Sequence, residues 1–286
     1  ATYDPTSNTL TLDNFSYTGA GYSLSSTTNV LIYCTGSDLK IVLKGTNKLA
    51  GTGDYQLGII IEDGSLTIAG SDEYSDTASL ELTVEDMCIY AYGSLSIENV
   101  KLTTTTTALP TSSTTVAIYT DGDISIKGSE VTVIAGDSDG DGIIEYGCTL
   151  GIISYGNVTI TDSSVNVVAN GVGIDADSRM TIDNSTIIID GGECGTSATA
   201  TFITNSTVII SGEIAIETNT MNGGYFIISN SNVEISAQEY AIHDWYYDEP
   251  LADYRLHDRT GHVIYGGEDK ESATIVTEQV DIFGNK

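Results

Sequence analysis

Asp137, Asp139 and Asp141 alternate through a Gly-rich run, Asp137-Ser138-Asp139-Gly140-Asp141-Gly142, with Glu145 close behind. Carboxylates spaced this way around a tight turn suit a hard cation such as Ca²⁺, which gathers about six to eight oxygens. The run is not an EF-hand, because Cys148 stands where that loop needs Glu and no helical pattern flanks it. The competing reading is a solvated acidic turn in a chain that is acidic throughout.

A second set of residues mixes acids with aromatic rings. Segments such as Cys88-Ile89-Tyr90-Ala91-Tyr92-Gly93 and Gly151-Ile152-Ile153-Ser154-Tyr155-Gly156 recur along the chain. Three places after the Ile stand Asp63, Tyr92, Asp121, Tyr155 and Asp177, followed by Asn219 and Trp245. Close by, Tyr90, Tyr119, Asp175, Glu217 and His243 share a second outward position. If each segment occupies one coil of a stack, these residues line one edge. Tyr92 and Tyr155 are then two coils apart, roughly 10 Å, near the disaccharide repeat of an extended β-linked glycan. Aromatic faces stack on sugar rings and carboxylates accept from hydroxyls. The edge therefore predicts carbohydrate binding by Tyr92, Tyr155, Trp245, Asp121 and Asp177. The alternative is that stacked tyrosines simply support the scaffold.

Residues 243–271 hold all three histidines and the only Trp. They read as a long insertion that caps the end of the stack, with a ligand lid or metal site as the alternative. Catalytic patterns are weaker. Asp175 with Asp177, or Asp121 with Asp123, has the residue types of a glycosidase acid/base pair. Among 40 acids such pairs arise by chance. A uronate lyase needs a basic residue beside Ca²⁺, and Lys101, Lys127 and Arg179 are the outward candidates. No motif selects one, and no catalytic residue is assigned.

The elements that must position these residues follow from a repeat. Ile97-Glu98-Asn99-Val100, Ile126-Lys127-Gly128-Ser129, Ile160-Thr161-Asp162-Ser163, Ile182-Asp183-Asn184-Ser185, Ile203-Thr204-Asn205-Ser206 and Ile228-Ser229-Asn230-Ser231 superpose on one another. Each sits between alternating apolar and polar segments, so the unit is strand, Gly turn, strand, Asn/Asp-Ser turn, strand. A unit repeated at roughly 20–35 residues marks a solenoid. Three short strands per coil predict an all-β, single-stranded, right-handed parallel β-helix of about ten coils. It forms a single domain over residues 1–286, with weaker copies at Leu12, Ile41 and Ile68. Residues 275–280 read as a last coil, and the first coil shows no evident cap. Gly64, Gly93, Gly122 and Gly156 are expected to supply positive φ at one corner. Asn184, Asn205 and Asn230 are expected to take the left-handed region at another.

Composition supports this. Of the residues, 17% are charged, yet 40 acids face 10 bases for a formal net charge of −30. Such a chain repels a phosphate backbone, which argues against nucleic acid. Apolar runs of about four residues exclude a membrane-spanning helix. Cys34, Cys88, Cys148 and Cys194 lack metal spacing and fall at different phases of the repeat, so free thiols are expected.

The coils, the Asn/Ser turns and the Asp-rich loop make the chain resemble clostridial carbohydrate-binding β-helix proteins, which look like non-catalytic relatives of pectate lyases. That family typically repeats Asp-Asp-Gly-Ile; here only Asp141-Gly142-Ile143 comes close. The resemblance implies a bacterial secreted or cell-surface protein that binds polysaccharide of plant cell-wall type with Ca²⁺. The alternatives are a polysaccharide lyase or glycosidase on the same scaffold, and an adhesin whose ligand is another protein.

Overall fold

Ile97, Ile126, Ile160, Ile182, Ile203 and Ile228 pair with one another in turn, and all are fully buried. The sequence repeat is therefore the structural register. The computed structural model describes residues 1–71, 77–107, 115–136, 148–218, 225–244, 249–250, 257–258 and 272–281. Among them every regular element is a strand. The strands make one long, open, mostly parallel sheet, compatible with a β-helix solenoid.

Three ladders run through this sheet. The first joins Asn29–Cys34, Gln56–Ile61, Met87–Ala91, Thr115–Thr120 and Thr149–Ser154, then continues to residues 240–244. The second carries the repeated Ile, through Leu39–Lys44, Leu66–Gly70, Leu95–Glu98, Ile124–Lys127 and Val158–Thr161. The third joins Thr46–Gly51, Ser79–Val84, Lys101–Thr106, Glu130–Ala135 and Ser164–Ala169. Alternation in the last two ladders sends Val, Ile and Leu inward and Thr, Ser, Lys and Glu outward. Each fully buried Ile or Leu contributes about 1.5–3 kcal/mol of transfer free energy. Leu12 departs from the expected column: it pairs with Leu43, and Leu10 meets Ile41.

The corner after the second ladder explains the Asn-Ser signature. Asn99, Asp162, Asn184, Asn205 and Asn230 have φ of 53°, 52°, 48°, 51° and 51°, as the turn reading requires. The serine that follows faces inward. Its Oγ accepts from the backbone N–H of the preceding rung's serine: Ser163 to Ser185 at 3.2 Å, Ser185 to Ser206 at 3.0 Å, Ser206 to Ser231 at 3.0 Å. The hydroxyl also donates to the carbonyl two residues back, as from Ser185 to Asp183 at 2.7 Å. Buried polar groups are thereby satisfied at the corner.

The glycine corner works differently from expectation. None of Gly64, Gly93, Gly122 and Gly156 has a positive φ. They are needed for close approach: a Cβ on Gly93 or Gly122 would lie 2.9 Å from the backbone of the previous rung's glycine. The Gly93 N–H donates to the Gly64 carbonyl at 2.8 Å.

Both ends turn antiparallel. Thr2–Asp4 pairs with Thr9–Asp13, and Tyr22–Ser23 with Asn29–Cys34, so the second and first ladders each begin with an antiparallel strand. Ser272–Asp281 runs antiparallel to Ile227–Ser236 and is not a further coil. One strand there pairs across both the second and third ladders, on either side of the Asn230 turn. Glu249–Pro250 and His257–Asp258, from the long insertion, also pair with terminal strands. The four thiols are free; Cys88 and Cys194 are buried, Cys34 is half-buried and Cys148 is exposed.

Candidate functional site

Tyr92, Asp121, Tyr155 and Asp177 follow the first-ladder strands on consecutive rungs, because Ala91, Thr120, Ser154 and Ala176 pair in sequence. Backbone N–H groups of Tyr92, Asp121 and Tyr155 donate to Ile61, Ala91 and Thr120 at 3.0, 3.2 and 3.1 Å. The column is thus fixed by main-chain bonds, and the Tyr92, Tyr155 and Asp177 side chains are exposed. Tyr92 is 58% exposed and Tyr155 59%. The fifth member is Glu62 and not Asp63, since Ile59 pairs with Ile89. Asp63 lies one place further on, where its Oδ2 accepts from the Gly36 N–H at 3.2 Å.

Beside this corner, the outer position of the first ladder carries Tyr33, Ile60, Tyr90, Tyr119, Ile153, Asp175, Ser197, Glu217 and His243 in register. Tyr90 stacks on Tyr119 with centroids 5.5 Å apart and planes at 20°, and Tyr155 meets Tyr119 edge-on at 5.4 Å. The Tyr90 hydroxyl donates to Asp121 Oδ2 at 3.1 Å. Burial, with the Asp121 bond, pushes the Tyr90 phenol up to about 12. Tyr119 is raised by burial and by its bonds to Tyr155 and Asp121. Tyr33 is raised to about 12, chiefly through a hydrogen bond to Glu62. Two rungs carry Ile here instead of a polar residue, and both Ile60 and Ile153 are buried.

Further along, Asp175 and Glu217 lie two rungs apart with Ser197 between them. Burial raises Asp175 to about 6; Asp177 and Glu217 add to the rise and a Ser197 hydrogen bond opposes it. Buried His243 places Nδ1 3.5 Å from Glu217 Oε1. Asp123, the other paired acid, is a corner group whose Oδ1 accepts from the Asn157 backbone and side chain at 2.7 and 2.9 Å. The basic residues stand elsewhere. Lys101 pairs with Glu130 on the third ladder at 2.6 Å, Lys127 is on the second, and Arg179 sits 4.9 Å from the Phe202 centroid. No Lys or Arg lies in the segments that pair within the first ladder, and Arg179 follows two residues after Asp177 on the strand Val172–Asp183.

Asp137, Asp139, Asp141, Glu145, Asn219 and Trp245 lie outside the described residues. The strands bounding the loops after Thr106 and Ala135 do pair, as do the strands that follow them, so both loops leave the same corner of adjacent rungs. Among the described residues no group of three or more His, Cys, Asp or Glu is arranged to hold a metal. A polar groove of about 480 Å³ between the third and first ladders is lined by Asp190, Gly192, Ser211, Gly212, Ser236, Ala237 and Gln238, without an aromatic ring.

Sequence reasoning missed Glu62 and Tyr33. Aligning Gly64 with Gly93 sets Asp63 beside Tyr92; the pairing of Ile59 with Ile89 shows one extra residue before Gly64, which puts Glu62 there instead.

Comparison of the chain with protein-family models, curated proteins and solved structures finds no match.

Proposed function

We propose that this chain is a non-catalytic polysaccharide-binding protein of the bacterial cell surface or exterior, built as a right-handed parallel β-helix of about ten coils. The observation that carries this reading is the alternation Tyr92, Asp121, Tyr155, Asp177 on consecutive rungs, with both rings more than half exposed. Rungs are about 4.8 Å apart, so ring faces recur about every 10 Å with a carboxylate between them. That spacing suits alternate residues of an extended glycan, with rings stacking on sugar faces and carboxylates accepting from hydroxyls. Trp245 extends the same column in sequence. Asp137, Asp139, Asp141 and Glu145, alternating carboxylates in a Gly-rich run of the sequence, hold Ca²⁺ in this reading. A glycan array run with and without EDTA tests this reading. Ca²⁺-dependent capture of a polysaccharide is expected, and silence across the array overturns it.

One observation favours a second reading, hydrolysis. Asp175 is half-buried and raised to about 6, with Glu217 two rungs away. A protonated Asp175 would serve as the acid and Glu217 as the base. Release of reducing ends from a bound polymer, abolished in Asp175→Asn, would establish it.

A further inference from the structure

The outer side of the first ladder sets aromatic and half-buried apolar side chains beside a corner rich in carboxylates. Leu57, Met87, Val116 and Leu150 form one outward, half-buried row, paired rung to rung. Tyr90 and Tyr119 lie in the parallel row, between Ile60 and Ile153. Glu62, Asp121 and Asp177 flank the face at its corner, and the one basic residue on a strand of this ladder is Arg179, past the corner on Val172–Asp183 and 4.9 Å from the Phe202 ring centroid. The ion pairs Lys48–Glu81 and Lys101–Glu130 belong to the third ladder, so they do not neutralise it.

We infer that the glycan taken by this face is cationic, a polymer of amino sugars with free ammonium groups. The inference rests on the glycan reading above and narrows it by charge complementarity. A uronate polymer would bring one carboxylate per sugar against carboxylates that recur on every second rung, about 10 Å apart, in a chain of formal net charge −30. A hexosamine polymer matches both halves of the column. Its ring faces stack on Tyr92 and Tyr155, while its ammonium groups reach Asp121 and Asp177 and sit against the tyrosine π-faces. Tyr90 and Tyr119 hold the Asp121 carboxylate from one side, which orients it at the corner.

The test is calorimetric titration of the full chain, at mildly acidic pH and low salt, with four oligomers of equal length. These are glucosamine, N-acetylglucosamine, galacturonate and lysine. The glucosamine oligomer is expected to bind about tenfold tighter than its acetylated form, with affinity falling as salt rises. Asp121→Asn with Asp177→Asn should remove that preference, and Tyr92→Ala with Tyr155→Ala should weaken both sugars. Equal affinity for the acetylated oligomer, or preference for galacturonate, overturns the charge assignment but leaves the glycan reading standing. Lysine oligomers binding as tightly as glucosamine, with no effect of the tyrosine variants, would mean bulk attraction of a polycation and overturns it too. No binding of any sugar oligomer overturns both readings.

Discussion

Tyr90 reaches from its own rung to the next and donates its phenolic hydrogen to Asp121 Oδ2 at 3.1 Å. The bond ties the aromatic stack to the acid between the two exposed tyrosines. Removing the hydroxyl in Tyr90→Phe is expected to cost about 0.5–1.5 kcal/mol, measured by urea unfolding. The phenol is raised to about 12, above the value near 10 of an unfolded tyrosine. Its contribution is therefore complete below pH 10 and is lost as pH rises through about 12. The variant should show a shallower alkaline loss of stability; an unchanged alkaline slope counts against the bond.

Asp175 gives a pH dependence at the other end of the scale. The folded protein holds its proton up to about pH 6, while an unfolded aspartate releases it near 4. This group's contribution is full below about pH 4, declines through about pH 6, and is flat beyond. Asp175→Asn cannot ionise, so it is expected to be more stable than the parent above pH 6, by about 1–2 kcal/mol after solvent screening. Parallel stability curves for the two proteins between about pH 4 and pH 7 would contradict this.

The serine ladder should be individually costly to break. Ser185→Ala leaves the buried Ser163 N–H without its acceptor and removes the bond to the Asp183 carbonyl. A loss of about 1–3 kcal/mol is expected in chemical unfolding. If the variant matches the parent, the serines are fillers and not ties between rungs.

Thiol chemistry reports on the packing of the first ladder. Cys148 is exposed, whereas Cys88 and Cys194 are buried and their thiols are raised, Cys194 to about 12. In the native protein an alkylating reagent should modify Cys148 first, then half-buried Cys34. Cys88 and Cys194 should react only on unfolding, as peptide mapping by mass spectrometry would show. Rapid native labelling of Cys88 would place it on the wrong side of the sheet.

How much of this was legible in the sequence depends on whether a residue's role is local or set between rungs. Ile182 and Ile203, Asn184 and Asn205, Ser185 and Ser206 recur in identical order, so their columns could be read directly and are found in register. The left-handed φ of Asn184 and Asn205 follows from what an Asn tolerates in a turn. The role of Gly93 and Gly122 did not follow, because their constraint is contact with the previous rung rather than their own φ. Counting from the wrong isoleucine in Ile59-Ile60-Ile61 selected Asp63 over Glu62, since three successive isoleucines offer no internal phase. The antiparallel return of Ser272–Asp281 was also hidden, because alternation in Thr274-Ile275-Val276-Thr277 carries no direction. At the site, Tyr92 and Tyr155 stood out as repeat-breaking residues, but the stacking of Tyr90 on Tyr119 needed the pairing of their strands.

The central claim is that the Tyr92–Asp121–Tyr155 corner is a sugar platform, and the most direct test is the affinity of Tyr92→Ala/Tyr155→Ala for the best glycan bound by the parent. Both rings are exposed, so the thermal midpoint should change little. Each stacked ring lost should weaken binding by roughly tenfold, giving a combined drop on the order of a hundredfold. A correctly folded double variant that binds the glycan as tightly as the parent would contradict the account.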